Sequence, residues 1–259
     1  MKPKPYNGIT GFMVPEEPIE MMREIPEGSK RRFMAGVLAS PKTIFGKGNR
    51  WQGRYPSADK ISGIFPIDER AFNLIHYGDG LKSSEGLGEK LIMITEKFGG
   101  PNLHGFQLNM AWPEGKEIAQ YKSRFPEMQI VLQAGKWSLR DSKESAREMV
   151  KQFKKAYSAG LIDYLILDVS GGLGDPLSPQ LMLTNLEILT RSNLGVGFTV
   201  AGGLSAKNLH LLDPIVARFP DISIDAEGQL RDKEDDHLIL PLAKEYTRNA
   251  YELFNKLEG

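Results

Sequence analysis

Asp163-Tyr164-Leu165-Ile166-Leu167-Asp168-Val169-Ser170-Gly171-Gly172-Leu173-Gly174 is the stretch that decides the fold. An almost wholly apolar run ends in an aspartate and then a glycine-rich turn. A strand apolar on both faces suits a parallel sheet covered by helices. The same punctuation recurs downstream. Val196–Ala201 runs into Gly202-Gly203, and Asp221–Asp225 runs into Ala226-Glu227-Gly228.

Five further strands are expected upstream, at Tyr6–Phe12, Phe33–Ala39, Phe72–Tyr77, His104–Asn109 and Gln129–Ala134. Helical patterns fall between the strands, near Glu16–Ile25, Glu85–Phe98, Pro113–Phe125, Ser142–Ala159, Pro179–Thr190, Ala206–Phe219 and Glu234–Leu257. Many open on helix-start signals such as Pro15-Glu16-Glu17. Eight βα units in a chain of 259 residues imply a (β/α)8 barrel, the TIM barrel. A doubly wound open sheet is the alternative, but no GxGxxG follows the first strand. The expected organisation is one domain over residues 1–259. Residues 40–71 form its irregular second βα loop, with a weak helix pattern near Ser57–Ile64, and are a candidate lid.

The 33 basic and 33 acidic side chains cancel, so nothing pulls the chain generally towards nucleic acid or anionic membrane. No apolar run approaches the ~20 residues that cross a bilayer, and the start carries no signal-peptide core. A soluble cytoplasmic protein is the expectation, with oligomerisation left open. The chain has no cysteine, which excludes disulfides, thiolate metal sites and thiol nucleophiles.

Barrel enzymes build their sites at the C-terminal ends of the strands. Glycines after late strands let backbone N–H groups approach a ligand. Gly172, Gly174, Gly202, Gly203, Ala226, Glu227 and Gly228 are therefore candidate phosphate contacts, with Ser205 as an N-cap for the following helix. Asp168 is a candidate proton donor or acceptor. Asp225 holds the equivalent place on strand eight and is read first as a hydrogen-bonding group. The second loop carries Lys42, Lys47, Arg50 and Arg54 with no acid between Pro41 and Pro56. Lys42 and Arg54 are its candidate anion contacts. Gln107 and Asn109 alternate on strand four and could meet ligand hydroxyls or simply fill polar barrel layers. His76, His104 and Asp79 make a weak metal reading that yields to ordinary hydrogen-bonded histidines, so no metal or cofactor is expected. Lys136 could form a Schiff base if desolvated, but an exposed or paired lysine is favoured.

These motifs resemble phosphoribosylanthranilate isomerase, a ribulose-phosphate-binding type of barrel. Leu167–Gly174 resembles the family's strand-six aspartate and glycine loop. Val200–Leu209 closely resembles its strand-seven phosphate segment. Ser223–Gly228, followed by Arg231-Asp232, is a shorter match to strand eight, and Asn7-Gly8-Ile9-Thr10 resembles the first-strand motif. The resemblance implies an Amadori rearrangement of an aminoaldose to an aminoketose, with Asp168 as general acid. It also implies a thiol base where this chain has Asn7, and a neutral amide cannot take that proton. Two readings follow. One is an aldose–ketose type isomerase of a phosphorylated sugar-like or phosphoribosyl substrate. In it Asp225, Glu227 or His76 replaces the base and Asn7 orients an intermediate. The other is a non-catalytic binder of a phosphorylated ligand.

Overall fold

The computed structural model describes residues 3–49, 51–78, 84–110, 112–133, 143–168 and 178–258. Eight parallel strands close in sequence order into a barrel. They are β1 (Tyr6–Thr10), β2 (Arg32–Ala39), β3 (Ala71–Tyr77), β4 (Gly105–Leu108), β5 (Gln129–Leu132), β6 (Tyr164–Asp168), β7 (Gly197–Ala201) and β8 (Ser223–Ala226). All eight expected strands are present, several shortened at their ends. Ala134, expected in β5, lies outside the described residues. Closure is made by β1 against β8, with Gly8 opposite Asp225.

The helices are α1 (Glu16–Met22), α2 (Pro41–Ile44), α3 (Ile61–Ile64), α4 (Leu87–Ile94), α5 (Gly115–Arg124), α6 (Lys143–Ala156), α7 (Pro179–Arg191), α8 (Asp213–Arg218) and α9 (Leu240–Glu258). The expected helix over Ala206–Phe219 is split. A 3-10 turn spans Leu209–Leu212, and α8 restarts with Pro214 in its first turn, where the missing N–H costs nothing. Ser205 does not cap it. Its backbone N–H donates instead to Asn208 Oδ1 (2.8 Å). The last helix starts at Leu240 rather than Glu234, because Arg231 and Leu238 pair as an antiparallel bridge before it. In the irregular second unit, α2 is capped by the Ser40 hydroxyl, and a 3-10 turn at Ala58–Lys60 leads into α3. Among the described residues, no helix is long and apolar enough to cross a membrane.

Alternation along each strand divides the core in two. Outward residues such as Ile9, Ile75 and Leu165 pack under the helices. Inward residues Tyr6, Met34, Phe72, Leu74, Val131, Tyr164 and Ile166 fill the barrel. The Tyr6 and Tyr164 rings meet edge-on at 5.2 Å. At the N-terminal end the Arg32 guanidinium lies 3.7 Å over Phe72 and donates to Gln129 and Tyr164. Each fully buried large apolar side chain contributes about 1.5–3 kcal/mol relative to exposure. The barrel is thus plugged at that end, and polar groups gather at the other.

Gly105 opens β4 at φ 152°, where a Cβ would overlap the Gln129 backbone. Gly105→Ala should destabilise the protein by at least ~2 kcal/mol in urea unfolding, because the β4–β5 pairing must shift. An unchanged midpoint would show that this close approach is not needed.

Candidate active site

The inward positions at the C-terminal ends of the strands are polar, and they surround one cavity of about 390 Å³. Its wall takes His76 from β3, Gln107 from β4, Gln133 just past β5 and Asp168 from β6. Ala201, Gly202 and Gly203 follow from β7. Asp225, Ala226, Glu227 and Gly228 come from β8 and its loop, and Arg54 reaches in from the second loop.

Asp225 is buried at the floor. Thr10 Oγ1 donates to its Oδ1 (3.2 Å), and Gln107 Nε2 donates to its Oδ2 (3.0 Å). Both of these donors are neutral, so they offset only part of the cost of burying a charge. Burial above all, with the negative Glu227 and Asp168 acting against the two hydrogen bonds, raises its pKa to about 7. A carboxyl group in that range can give or take a proton at neutral pH. Asp168 is partly exposed at the end of β6 and accepts from Gln133 Nε2 (3.0 Å). Burial pushes the His76 pKa down, so its ring is held neutral.

At the rim, Arg54 bridges the second loop to the loop after β8. It donates to Glu227 Oε1 (2.7 Å) and pairs with Asp236 through two further nitrogens. Arg231 is buried beneath it and donates to the backbone oxygens of Gly53, Asp236, Thr10 and Gly11. One arginine thus ties the second loop to the end of β1, where Thr10 meets Asp225. Gly202 and Gly203 turn at φ 112° and 64°. Asn208 Nδ2 holds the turn by donating to Gly203 O (2.7 Å).

The cavity therefore brings together Asp168, Gln107, Asp225, Arg54, Gly202, Gly203, Ala226, Glu227, Gly228 and His76 from the sequence-derived residues. It does not include Asn7 or Lys42. Asn7 follows inward-facing Tyr6, so its side chain points out of the barrel and accepts from Arg31 Nε (3.0 Å). Arg31 is itself stacked on Phe254 of α9, so Asn7 belongs to the helix-facing layer. Lys42 is exposed on α2. Arg54 does lie at the mouth, but its guanidinium is already gripped by two carboxylates. His104 precedes β4, and its Nδ1 accepts from the Asn73 N–H (2.9 Å), an ordinary structural role. Asn109 lies past the end of β4 and does not line the cavity. Gly172, Gly174, Asp79 and Lys136 lie outside the described residues. Among the described residues, no cluster of three or more histidine and carboxylate side chains is placed to hold a metal.

Thr10, Gln133, Arg231 and Asp236 were not foreseen as site groups. Thr10 and Gln133 were open to detection by parity, since Thr10 is four residues after Tyr6 and Gln133 two after Val131. The Arg54–Asp236 contact spans 182 residues of sequence and leaves no local signal.

Fold and site together define a (β/α)8 barrel with two aspartates, Asp168 and Asp225, lining the cavity at its C-terminal mouth. Among solved structures, the fold is shared with phosphoribosylanthranilate isomerases. Those of Thermus thermophilus, Pyrococcus furiosus and Thermotoga maritima give TM-scores of 0.63, 0.63 and 0.64 at 14%, 15% and 13% identity. Each match covers 96% of this chain and 99% of the other. The catalytic domain of a Pyrococcus furiosus chitinase is also similar in fold, at TM-score 0.56 and 12% identity over 98% of this chain and 97% of that one. No protein-family model and no curated protein matches the chain.

Unfolded Asp225 releases its proton near 3.8, whereas the folded group keeps it to about 7. Between those values the folded state binds more protons, so the contribution of Asp225 to stability falls as pH rises and levels off above 7. Asp225→Asn removes this titration. Its stability relative to the native protein should rise from pH 5 to pH 8 by on the order of 2 kcal/mol in chemical denaturation. A constant difference would mean that Asp225 is ionised throughout.

Proposed function

We propose that the protein is an acid–base enzyme that isomerises a small phosphorylated, sugar-like substrate at the barrel mouth. The observation that carries this reading is the placement of Asp225, with its raised pKa, and Asp168 around one cavity beside two glycine-bearing loops.

In an aldose-to-ketose conversion a base removes the proton from C2 while an acid protonates the oxygen on C1. The resulting enediol, or enaminol for an aminoaldose, then gains a proton at C1 and loses one from the C2 oxygen. The net change moves hydrogen between neighbouring carbons, with no external oxidant. Two carboxyl groups of different environment suit such a sequence. Asp225 takes the base role that a cysteine-free chain cannot give to a thiol, and Asp168 takes the acid role. Asn7 has no part in this reading.

Backbone N–H groups at Gly202–Gly203 and at Ala226–Gly228 would hold the phosphate. Glu227 would contribute its backbone rather than its carboxylate, whose charge is offset by Arg54. Arg54, held by Glu227 and Asp236, would meet the ligand with its remaining N–H groups from the second loop, which then serves as a lid over the mouth.

The test is exchange of solvent deuterium into aldose phosphates and phosphoribosyl amines, followed by NMR. The native protein should label the carbon next to the carbonyl of one of them. Asp225→Asn and Asp168→Asn should each slow labelling by roughly 10²–10⁴-fold. Binding of such phosphates with no labelling would favour the non-catalytic alternative. Labelling that survives in Asp225→Asn would remove Asp225 from the base role.

A further inference from the structure

Two polar atoms at the floor of the mouth lack partners. His76 Nδ1 and Gln107 Oε1 are both buried, and neither is hydrogen bonded by any described residue. The residues are only 5% and 2% exposed, yet both line the cavity. They are register partners on β3 and β4. Their side chains therefore stand on the inner face of neighbouring strands, whose spacing is ~4.8 Å. Gln107 is oriented by its Nε2, which donates to Asp225 Oδ2 when that carboxyl group is ionised. Its Oε1 is then left as an acceptor without a donor. Buried polar atoms are nearly always paired, and two orphans side by side on a cavity wall mark bonds that a ligand completes.

We propose that His76 and Gln107 form a subsite for two neighbouring hydroxyl groups on the carbon chain of the substrate. This deepens and rests on the sugar-phosphate reading of the same mouth. In the closed strand order β3 and β4 lie across the barrel from β7 and β8, so the hydroxyls bind opposite the proposed phosphate loops. A hydroxyl can donate to Gln107 Oε1 and can either donate to or accept from a neutral imidazole. An ammonium can only donate, and a phosphate dianion brings no proton to the glutamine oxygen. Adjacent hydroxyls of one chain match two side chains on adjacent strands. A hydroxyl held by Oε1 also sits next to the amide that grips Asp225, which places the carbon skeleton beside that carboxyl group.

Titration calorimetry with three probes separates this subsite from the phosphate reading. The probes are D-ribose 5-phosphate, ribitol and inorganic phosphate. The proteins are the native chain, His76→Leu and Gln107→Met, each checked for a native circular dichroism spectrum. Both substitutions should weaken ribose 5-phosphate and ribitol by about tenfold or more, ~1.4 kcal/mol each, and leave inorganic phosphate unchanged. Should ribitol bind the native chain while inorganic phosphate does not, the phosphate reading fails and the hydroxyl subsite stands. If the native chain binds no polyol, or if both variants bind ribose 5-phosphate and ribitol as tightly as it does, the subsite is wrong. A readout on the native protein alone avoids any folding defect. Ribitol should shift the ¹⁵N resonance of His76 Nδ1, and an unmoved resonance at saturation contradicts the proposal.

Discussion

In a closed barrel every second residue of each strand must point inwards, and the interior has room for few side chains. That parity governs the rest of this structure. It fills the N-terminal half with Tyr6, Phe72, Tyr164 and their neighbours, whose burial holds the strands together. It then leaves Thr10, His76, Gln107, Asp168 and Asp225 as the inward residues of the last layer. These polar groups do not form a cavity because they are polar. They form one because the apolar plug beneath them keeps water from one side, and the strand ends open on the other.

The placement of Asp225 shows how competing effects set a pKa. A carboxylate accepting two hydrogen bonds would ordinarily stay acidic. Here Thr10 and Gln107 bring no formal charge, while Asp168 and Glu227 add negative potential and burial removes solvation. The arginine nearest the mouth, Arg54, is committed to Glu227 and Asp236. A direct Arg54–Asp225 pair would have pulled the pKa down and spoiled the group as a base at neutral pH. The rim arginine instead joins the second loop to the loop after β8.

Much of the fold was legible because a parallel strand covered on both sides reads as an uninterrupted apolar run, as in Tyr164–Leu167. The glycine loops after β7 and β8 were legible for the same reason, since they interrupt such runs at a fixed place. Asn7 shows where linear reading stopped. The segment Asn7–Thr10 spells a first-strand motif, and parity puts Asn7 and Thr10 on opposite faces, but only the closed barrel shows which face is the inner one. The register turns Tyr6 and Thr10 inwards and Asn7 towards Arg31. Arg54 shows a second limit. Its positive charge was visible in the second loop, but the acids that take up that charge lie far away in sequence. The split of the helix at Pro214 and the late start of α9 have the milder cause of local turns overriding periodicity.

The protein thus shares its barrel fold with phosphoribosylanthranilate isomerases while carrying no thiol, and carboxyl groups line its mouth. Everything proposed for its chemistry depends on Asp225 changing protonation near neutrality. The most direct measurement is an NMR titration of the Asp225 side-chain carboxyl ¹³C shift, assigned by comparison with Asp225→Asn. A midpoint near pH 7 is expected from its burial. A midpoint near 4, the ordinary aspartate value, would contradict the account, because the group would then be a solvated or charge-paired carboxylate rather than a base tuned by the barrel.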